Sequence, residues 1–226
     1  MRSRIDSMNP MSRRDLLRTA ALGSAGLAVS SLPLSATPVS RPAVNDPDEA
    51  LARLMAGNDR FVAGETTEPR RDLARVRELA DGQAPFAAVL GCADSRVPVE
   101  ILFDEGFGDI FTVRVAGNVA TPEEIASLEY AVGVLGTPLV VVLGHTSCGA
   151  VAAAHAGGAV PGQISSLFQH IIPAIPEGAS VNEAVEANVR YQVQALSRSS
   201  TVIREAIGNG TAAVHGAVYG LSLIHI

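Results

Sequence analysis

Three chemically active side chains follow one apolar stretch of the sequence. Residues 86–90 are apolar without helical spacing, which is typical of a buried strand in a parallel sheet, and Gly91 comes next. Cys92, Asp94 and Arg96 follow directly. Because open α/β sheets carry their chemistry at the carboxyl ends of strands, we expect a thiol, a carboxylate and a guanidinium to line a site there.

A second stretch repeats this arrangement later in the chain. The apolar run of residues 139–143 leads through a glycine into His145 and Cys148, which have the spacing of metal ligands. The chain has two cysteines, and both lie at such strand ends. Thiolates and imidazole are preferred ligands of Zn²⁺. The sequence therefore predicts a four-ligand zinc site made of Cys92, Asp94, His145 and Cys148.

Other interpretations of the same residues compete with this one. If the protein is exported to an oxidising compartment, its two cysteines could form a disulfide, although the neighbouring histidine and aspartate favour a metal. Asp94 as a fourth ligand would close the shell, as in structural zinc sites, whereas an Asp94 paired with Arg96 would leave a position for water. The two could also form only a surface salt bridge in a turn. A thioredoxin-like redox role is disfavoured because the chain has no C-x-x-C motif.

The chain as a whole indicates a single α/β domain over residues 41–220. Strand-like runs alternate with helical patterns, which predicts a doubly wound, mostly parallel sheet flanked by helices. One long helix is expected at about residues 180–207, before a last strand at 212–219. The net charge is −6, and beyond the leader the only basic cluster is Arg70–Arg71. That balance argues against nucleic acid as the partner.

Residues 1–40 are predicted to be a Tat-type signal peptide and linker. Arg13 and Arg14 form a twin arginine, and a weakly apolar run rich in Ala, Gly, Ser and Leu follows from residue 19 to about residue 36. This run is short for a stable membrane span and is interrupted by Pro33. We expect Tat-dependent export to the periplasm. A basic leader without a targeting role is the alternative.

The final six residues, 221–226, have the sequence LSLIHI. They can be back-translated as CTG TCT CTT ATA CAC ATC, which matches a transposon-end adapter used in sequencing libraries. We therefore expect an artefactual tail, with the domain truncated at its C-terminus. An ordinary apolar tail is the alternative.

The motif CADSR at residues 92–96, together with GHTSCG at residues 144–149, resembles the paired motifs of the β-class carbonic anhydrases. The resemblance extends over about residues 51–219. It implies Zn²⁺ as the cofactor, Cys92, His145 and Cys148 as permanent ligands, and Asp94 with Arg96 as a switchable pair. The implied reaction is the reversible hydration of carbon dioxide to bicarbonate and a proton, by attack of zinc-bound hydroxide.

The same resemblance implies a substrate pocket. It assigns Gln83 as a hydrogen-bond donor to the zinc-bound ligand, and Phe111 and Tyr130 as walls of an apolar pocket shared across a dimer interface. Gly149, which ends the second motif, is assigned to the substrate-binding set. We accordingly expect a homodimer or a higher homo-oligomer. From the sequence alone, Phe111 and Tyr130 could equally be core residues.

Two other functions remain open at this level. A hydrolase acting on COS or CS₂ would need the same zinc chemistry and a similarly narrow pocket. A non-enzymatic zinc protein would keep Asp94 permanently on the metal. Rates with CO₂ and the sulfur compounds would separate the first alternative, and the absence of CO₂ hydration with zinc fully bound would favour the second.

Overall fold

The computed structural model describes residues 44–221. The predicted leader and residues 222–226 of the predicted tail lie outside the described residues. The strands are β1 (Ala87–Gly91), β2 (Ile110–Arg114), β3 (Leu139–His145) and β4 (Ala213–Tyr219). The α-helices are α1 (Pro47–Ala63), α2 (Leu73–Glu78), α3 (Val99–Leu102), α4 (Pro122–Gly133), α5 (Gly149–Ala156), α6 (Ser165–Ile171), α7 (Val181–Ser199) and α8 (Thr201–Gly208). A 3₁₀ turn, Ile172–Ala174, follows α6.

The four strands form one parallel sheet in the order β2-β1-β3-β4. Side chains of a strand alternate between its two faces. Ala87 and Val89 of β1 join a core cluster with α1 and α3, whereas Ala88 and Leu90 pack with α4, α7 and α8. Both faces are therefore covered by helices, and the predicted doubly wound α/β fold is confirmed.

The strand order places a topological switch beside β1. The connection from β1 leads through α3 to β2, at one edge of the sheet. The connection from β3 leads through α5–α8 to β4, at the other edge. A crevice forms at the carboxyl ends of two neighbouring strands whose connections diverge, and such crevices hold ligands in open α/β sheets. Both predicted motifs begin at this crevice.

The leading helix α1 begins where the sequence predicts it. The carboxylate of Asp46 accepts hydrogen bonds from the backbone N–H groups of Asp48 and Glu49, and Pro47 occupies the first helical position. The helix ends at Gly64, which adopts a left-handed conformation with φ of 71°. Among the described residues, no helix is long and apolar enough to cross a membrane.

The single long helix predicted at about residues 180–207 is wrong in one respect, because the structure divides it into α7 and α8. Ser200 separates them with an extended backbone, φ −104° and ψ 120°. Its hydroxyl accepts a hydrogen bond from Ile203 N and donates one to Glu129 on α4. A serine that caps a new helix competes with continuation of the old one, and the apolar periodicity does not reveal this choice.

Candidate metal centre

The sheet brings three of the predicted ligands together. Cys92 follows β1, His145 is the last residue of β3, and Cys148 lies just before α5. The two sulfur atoms and one imidazole nitrogen all lie within 4.8 Å of one another. All three residues are buried, and the two cysteines form no disulfide. The two strand ends that carry the paired motifs therefore meet in one group of three potential metal ligands.

The spacing of these atoms fits a tetrahedral metal ion. Two thiolates at a Zn–S distance of about 2.3 Å in tetrahedral geometry lie about 3.8 Å apart. The observed distance between Cys92 Sγ and Cys148 Sγ is 3.9 Å. Two thiolates and one imidazole are a typical donor set for zinc with a fourth position left open.

The imidazole of His145 is oriented for a metal. Its Nδ1 lies 3.0 Å from its neighbour's carbonyl oxygen, Thr146 O, so Nδ1 carries the proton and donates to that oxygen. Its Nε2 is buried and has no hydrogen-bond partner among the described residues. Because a buried nitrogen without a partner is costly, the arrangement favours a cation at Nε2.

Asp94 lies beside the three ligands but is held by Arg96. Arg96 Nε and Nη2 donate to the two carboxylate oxygens at 2.9 and 2.7 Å, and the Arg96 backbone N–H donates at 2.9 Å. Asp94 Oδ2 lies 3.7 Å from His145 Nε2. In this arrangement the carboxylate stands next to the ligand group without joining it.

Contacts around the site shift the pKa values of its ionisable side chains in different directions. The contact with Cys148 lowers the pKa of Cys92 to about 4, whereas the same contact, together with burial, raises the pKa of Cys148. The hydrogen bonds from Arg96 hold the pKa of Asp94 well below its usual range. One thiol therefore keeps its proton at neutral pH, and a divalent cation must displace that proton to bind both sulfurs.

Three of the residues assigned to the substrate pocket lie away from the group of potential metal ligands. Gln83 is exposed and precedes β1, whereas Cys92 follows that strand at its opposite end. Phe111 and Tyr130 pack against each other with ring centroids 6.3 Å apart, and Phe111 pairs with Ala88 in the middle of the sheet. Within one chain these three side chains do not join the ligand group.

Gly149 does lie at the site, because it directly follows Cys148 and begins α5. A Cβ built on Gly149 would meet no atom within 4 Å. The space beside this residue is therefore open, which suits its assignment to the substrate-binding set.

The sequence interpretation missed two further residues that contact the site. Arg114, at the end of β2, donates from Nε to Cys92 O at 2.9 Å and from Nη2 to Asp94 O at 2.5 Å. The backbone N–H of Gly117 donates to Cys92 Sγ at 3.3 Å. Arg114 ends the third strand at this edge of the sheet and Gly117 follows it, so a search of every strand end would have found them.

Comparisons with known proteins agree on one family. A family model described as carbonic anhydrase matches residues 87–223. Carbonic anhydrase 2 of Mycobacterium tuberculosis is 42% identical over 185 residues, which cover 78% of this chain and 89% of the relative.

Solved structures show the same fold. The β-carbonic anhydrase of Coccomyxa, solved in complex with acetazolamide, is 28% identical with a TM-score of 0.59, and the match covers 77% of this chain and 82% of the other. A tetrameric β-carbonic anhydrase of Sordaria macrospora has a TM-score of 0.60 at 24% identity, with 78% and 95% covered. At that identity the Sordaria structure supports the fold alone.

Proposed function

The chain belongs to the β-class carbonic anhydrases, zinc enzymes that hydrate carbon dioxide, and we propose specific roles for the residues of its site. In this proposal the zinc ligands are Cys92, His145 and Cys148. The observation that carries it is the buried, unpartnered Nε2 of His145 within 4.8 Å of two thiols.

Zinc, when bound, acts as a Lewis acid that makes a water molecule reactive at neutral pH. The chain's own residues prepare that reaction. Asp94, 3.7 Å from His145 Nε2, accepts a hydrogen bond from the attacking water and so orients it. Arg96 keeps the carboxylate charged and turned away from the ligand position through two hydrogen bonds. If Arg96 released it, Asp94 would be near enough to occupy the fourth position and close the site.

The substrate pocket is proposed to need a second copy of the chain. Gln83, Phe111 and Tyr130 were assigned to the pocket by resemblance, yet they lie away from the ligands of their own chain. β2, which carries Phe111, is at the edge of the sheet, so a second copy could approach it. Sedimentation should show at least a dimer, and a fully active monomer at micromolar concentration would contradict the shared pocket.

The central experiment measures zinc and catalysis on the same sample. We expect one zinc per chain and CO₂ hydration by stopped flow that disappears with the metal and returns when zinc is restored. A zinc-free protein with unchanged hydration rate would refute the assignment. A chain with full zinc and no hydration at any pH would point to a closed site in which Asp94 remains on the metal.

We also propose export by the Tat route. The support is the sequence alone, namely the pair Arg13–Arg14 ahead of a weakly apolar run. Export of a folded, zinc-loaded chain would protect both cysteines from oxidation outside the cytoplasm. Replacement of both arginines by lysine should leave the protein inside the cell, and efficient periplasmic delivery of that variant would refute the proposal.

A further inference from the structure

Two buried amide side chains lie on α7, a helix that contributes no residue to the proposed ligand set. Asn188 has an exposed fraction of 0% and Gln192 of 1%, and they are four residues apart on one face of the helix. Buried amides need partners for their hydrogen-bonding groups. The partners show where these side chains act.

The amides hold the loop that follows β2. Asn188 Nδ2 donates to Gly117 O at 2.9 Å, and Gln192 Oε1 accepts from Ala120 N at 3.0 Å. Gln192 Nε2 donates to Asn188 Oδ1 at 2.9 Å and also to His170 O at 2.9 Å. Because the Asn188 oxygen is occupied in this way, its NH₂ group must face Gly117. The orientation of Asn188 is thus fixed by Gln192.

The held peptide group controls a donor to the metal centre. The peptide between residues 117 and 118 is fixed at both ends, since its oxygen binds Asn188 and its N–H binds Val115 O at 2.9 Å. The preceding N–H, that of Gly117, donates to Cys92 Sγ. Gly117 has a φ of 76°, and a Cβ there would lie 2.8 Å from Ile171 Cδ1. Only glycine suits this turn, and glycine by itself would leave the turn free to move.

We propose that Asn188, oriented by Gln192, is a positioning residue for the metal centre. By holding the Gly117 carbonyl, it directs the Gly117 N–H at the sulfur of Cys92. A hydrogen bond to a ligand sulfur fixes the direction of its lone pairs and the charge that it donates to a metal. This rests on the proposed function, in which Cys92 is a zinc ligand.

The test compares two leucine substitutions, each of which removes a buried asparagine that donates to a backbone carbonyl. Asn188→Leu removes the donor to Gly117 O, and with it the acceptor for Gln192 Nε2, while filling a similar volume. Asn58→Leu is the matched control, because Asn58 is also buried, with an exposed fraction of 2%, and its Nδ2 donates to Leu102 O at 3.0 Å. This bond joins α1 to α3 beside the core cluster that contains none of the proposed ligands. Zinc affinity is measured by competition with a chromophoric chelator, and the thiolate-to-metal charge-transfer band is measured after loading with Co²⁺.

Asn188→Leu should raise the zinc dissociation constant about 10–100-fold and shift the Co²⁺ band, as changes to outer partners of metal ligands do. Asn58→Leu should lower the unfolding midpoint similarly, yet keep the zinc constant and the band of the unsubstituted protein. An unchanged constant and band in Asn188→Leu would overturn the proposal. An equal loss in both variants would also overturn it, because general destabilisation would then explain the effect.

If Asn188→Leu does not fold, Gln192→Leu replaces it. That variant keeps the donor to Gly117 but frees its orientation, so we expect a smaller loss of zinc affinity in the same direction, and an unchanged affinity would overturn the proposal. Failure of the proposed function itself would appear differently. In that case the unsubstituted protein would not bind one zinc per chain, or Cys92→Ser would bind it equally well.

Discussion

Two regions of the chain use guanidinium and carboxylate groups for different purposes. In the metal centre, Asp94 and Arg96 are two residues apart, and the Arg96 side chain is 54% exposed. The second region, which we name the arginine–acid cluster, joins α1 and the following loop to the loop after α3. Its members are Arg53, Arg60, Arg70, Asp104, Glu105 and Asp109.

The carboxylates of the arginine–acid cluster are almost completely buried, with exposed fractions of 0 to 2%. Glu105 accepts two hydrogen bonds from Arg53, at 2.8 and 2.6 Å, and one from Arg70 at 2.5 Å. Asp109 accepts from Arg70 at 2.6 Å and from Gly106 N at 3.0 Å. These acids have several donors each, and the arginines that serve them come from residues far away in sequence.

The two regions differ in whether all of their buried polar side-chain atoms have hydrogen-bond partners. Among the described residues, the buried side-chain atoms without a partner include Nε2 of His145 and none from the arginine–acid cluster. A saturated buried network fixes one conformation, whereas a buried group that lacks a partner is tolerated where a ligand will supply it. We therefore assign the arginine–acid cluster to folding and the centre around His145 to chemistry. Substitutions in the two regions should separate stability from activity.

The largest effect is expected for Cys148→Ser. Even outer partners of metal ligands typically contribute 10–100-fold to affinity, so loss of a ligand thiolate should lower zinc affinity and CO₂ hydration by more than about 100-fold. Elemental analysis and stopped-flow rates measure both quantities. Because the arginine–acid cluster is untouched, the variant should retain the native far-UV circular dichroism spectrum. Full zinc occupancy in Cys148→Ser would show that this thiol is not a ligand.

Glu105→Gln should lower the stability of the fold and leave zinc binding unchanged. Removal of one charge from a buried ion-pair network costs about 3–5 kcal/mol, because the remaining charges are left without their partner. Urea unfolding measures this loss, while zinc per folded molecule should stay the same. Glu186→Gln is the matched control, since Glu186 forms an exposed pair with Arg190 at 3.5 Å and should change stability by at most about 0.5 kcal/mol. Equal losses in the two variants would remove the structural role assigned to the buried acid.

Arg96→Ala should lower the CO₂ hydration rate by about 10–100-fold while zinc remains bound. Without Arg96 the carboxylate of Asp94 is free to move toward the metal and close the site. Arg96→Lys keeps the charge but not the two-pronged geometry, so an intermediate rate is expected. Because Arg96 is exposed, the melting temperature should change little. A wild-type rate in zinc-loaded Arg96→Ala would show that the pair does not control access.

The sequence predicted the centre better than the arginine–acid cluster for a physical reason. The proposed ligands Cys92, His145 and Cys148 are next to strand ends, so their placement follows from local pattern and from the rule that parallel strands end at one edge. Arg53 and Glu105 are 52 residues apart, and no local pattern links them. Asn188 and Gln192 are likewise polar residues on a helix face, and their partners in the loop after β2 lie more than 70 residues away.

The lack of a local sequence pattern also explains why the pocket residues could not be assigned from the sequence alone. Phe111 and Tyr130 carry no local sign that distinguishes a core contact from a pocket wall, and one chain places them against each other. Their assignment to a pocket stays a prediction that depends on a second copy. The break at Ser200 was missed because a capping serine inside an apolar repeat looks like any other polar position of a helix.

The smallest effect concerns pH and tests whether the arginine–acid cluster stabilises the fold through charge. Burial raises the pKa of Asp104, but hydrogen bonds from Thr67, Arg60 and Glu68 lower it by more, to about 2. A carboxylate whose pKa is depressed in the folded state adds stability above its unfolded pKa of about 3.9, and this stability is lost as pH falls toward the folded value. The contribution is about 2 kcal/mol at neutral pH.

Asp104→Asn should therefore unfold more easily than the parent at neutral pH, and the difference should shrink by about 2 kcal/mol between about pH 5 and about pH 2. Urea unfolding across this range measures it, and both proteins should carry Cys148→Ser so that release of zinc at low pH does not contribute to the difference. Asp81→Asn, at an exposed position, is the control and should run parallel to the parent. The opposite result is a difference in unfolding free energy between Asp104→Asn and the parent that stays constant down to about pH 2. In that case the Asp104 carboxylate stabilises the fold by packing and hydrogen bonds alone. The idea that the arginine–acid cluster stabilises the fold through charge is then wrong.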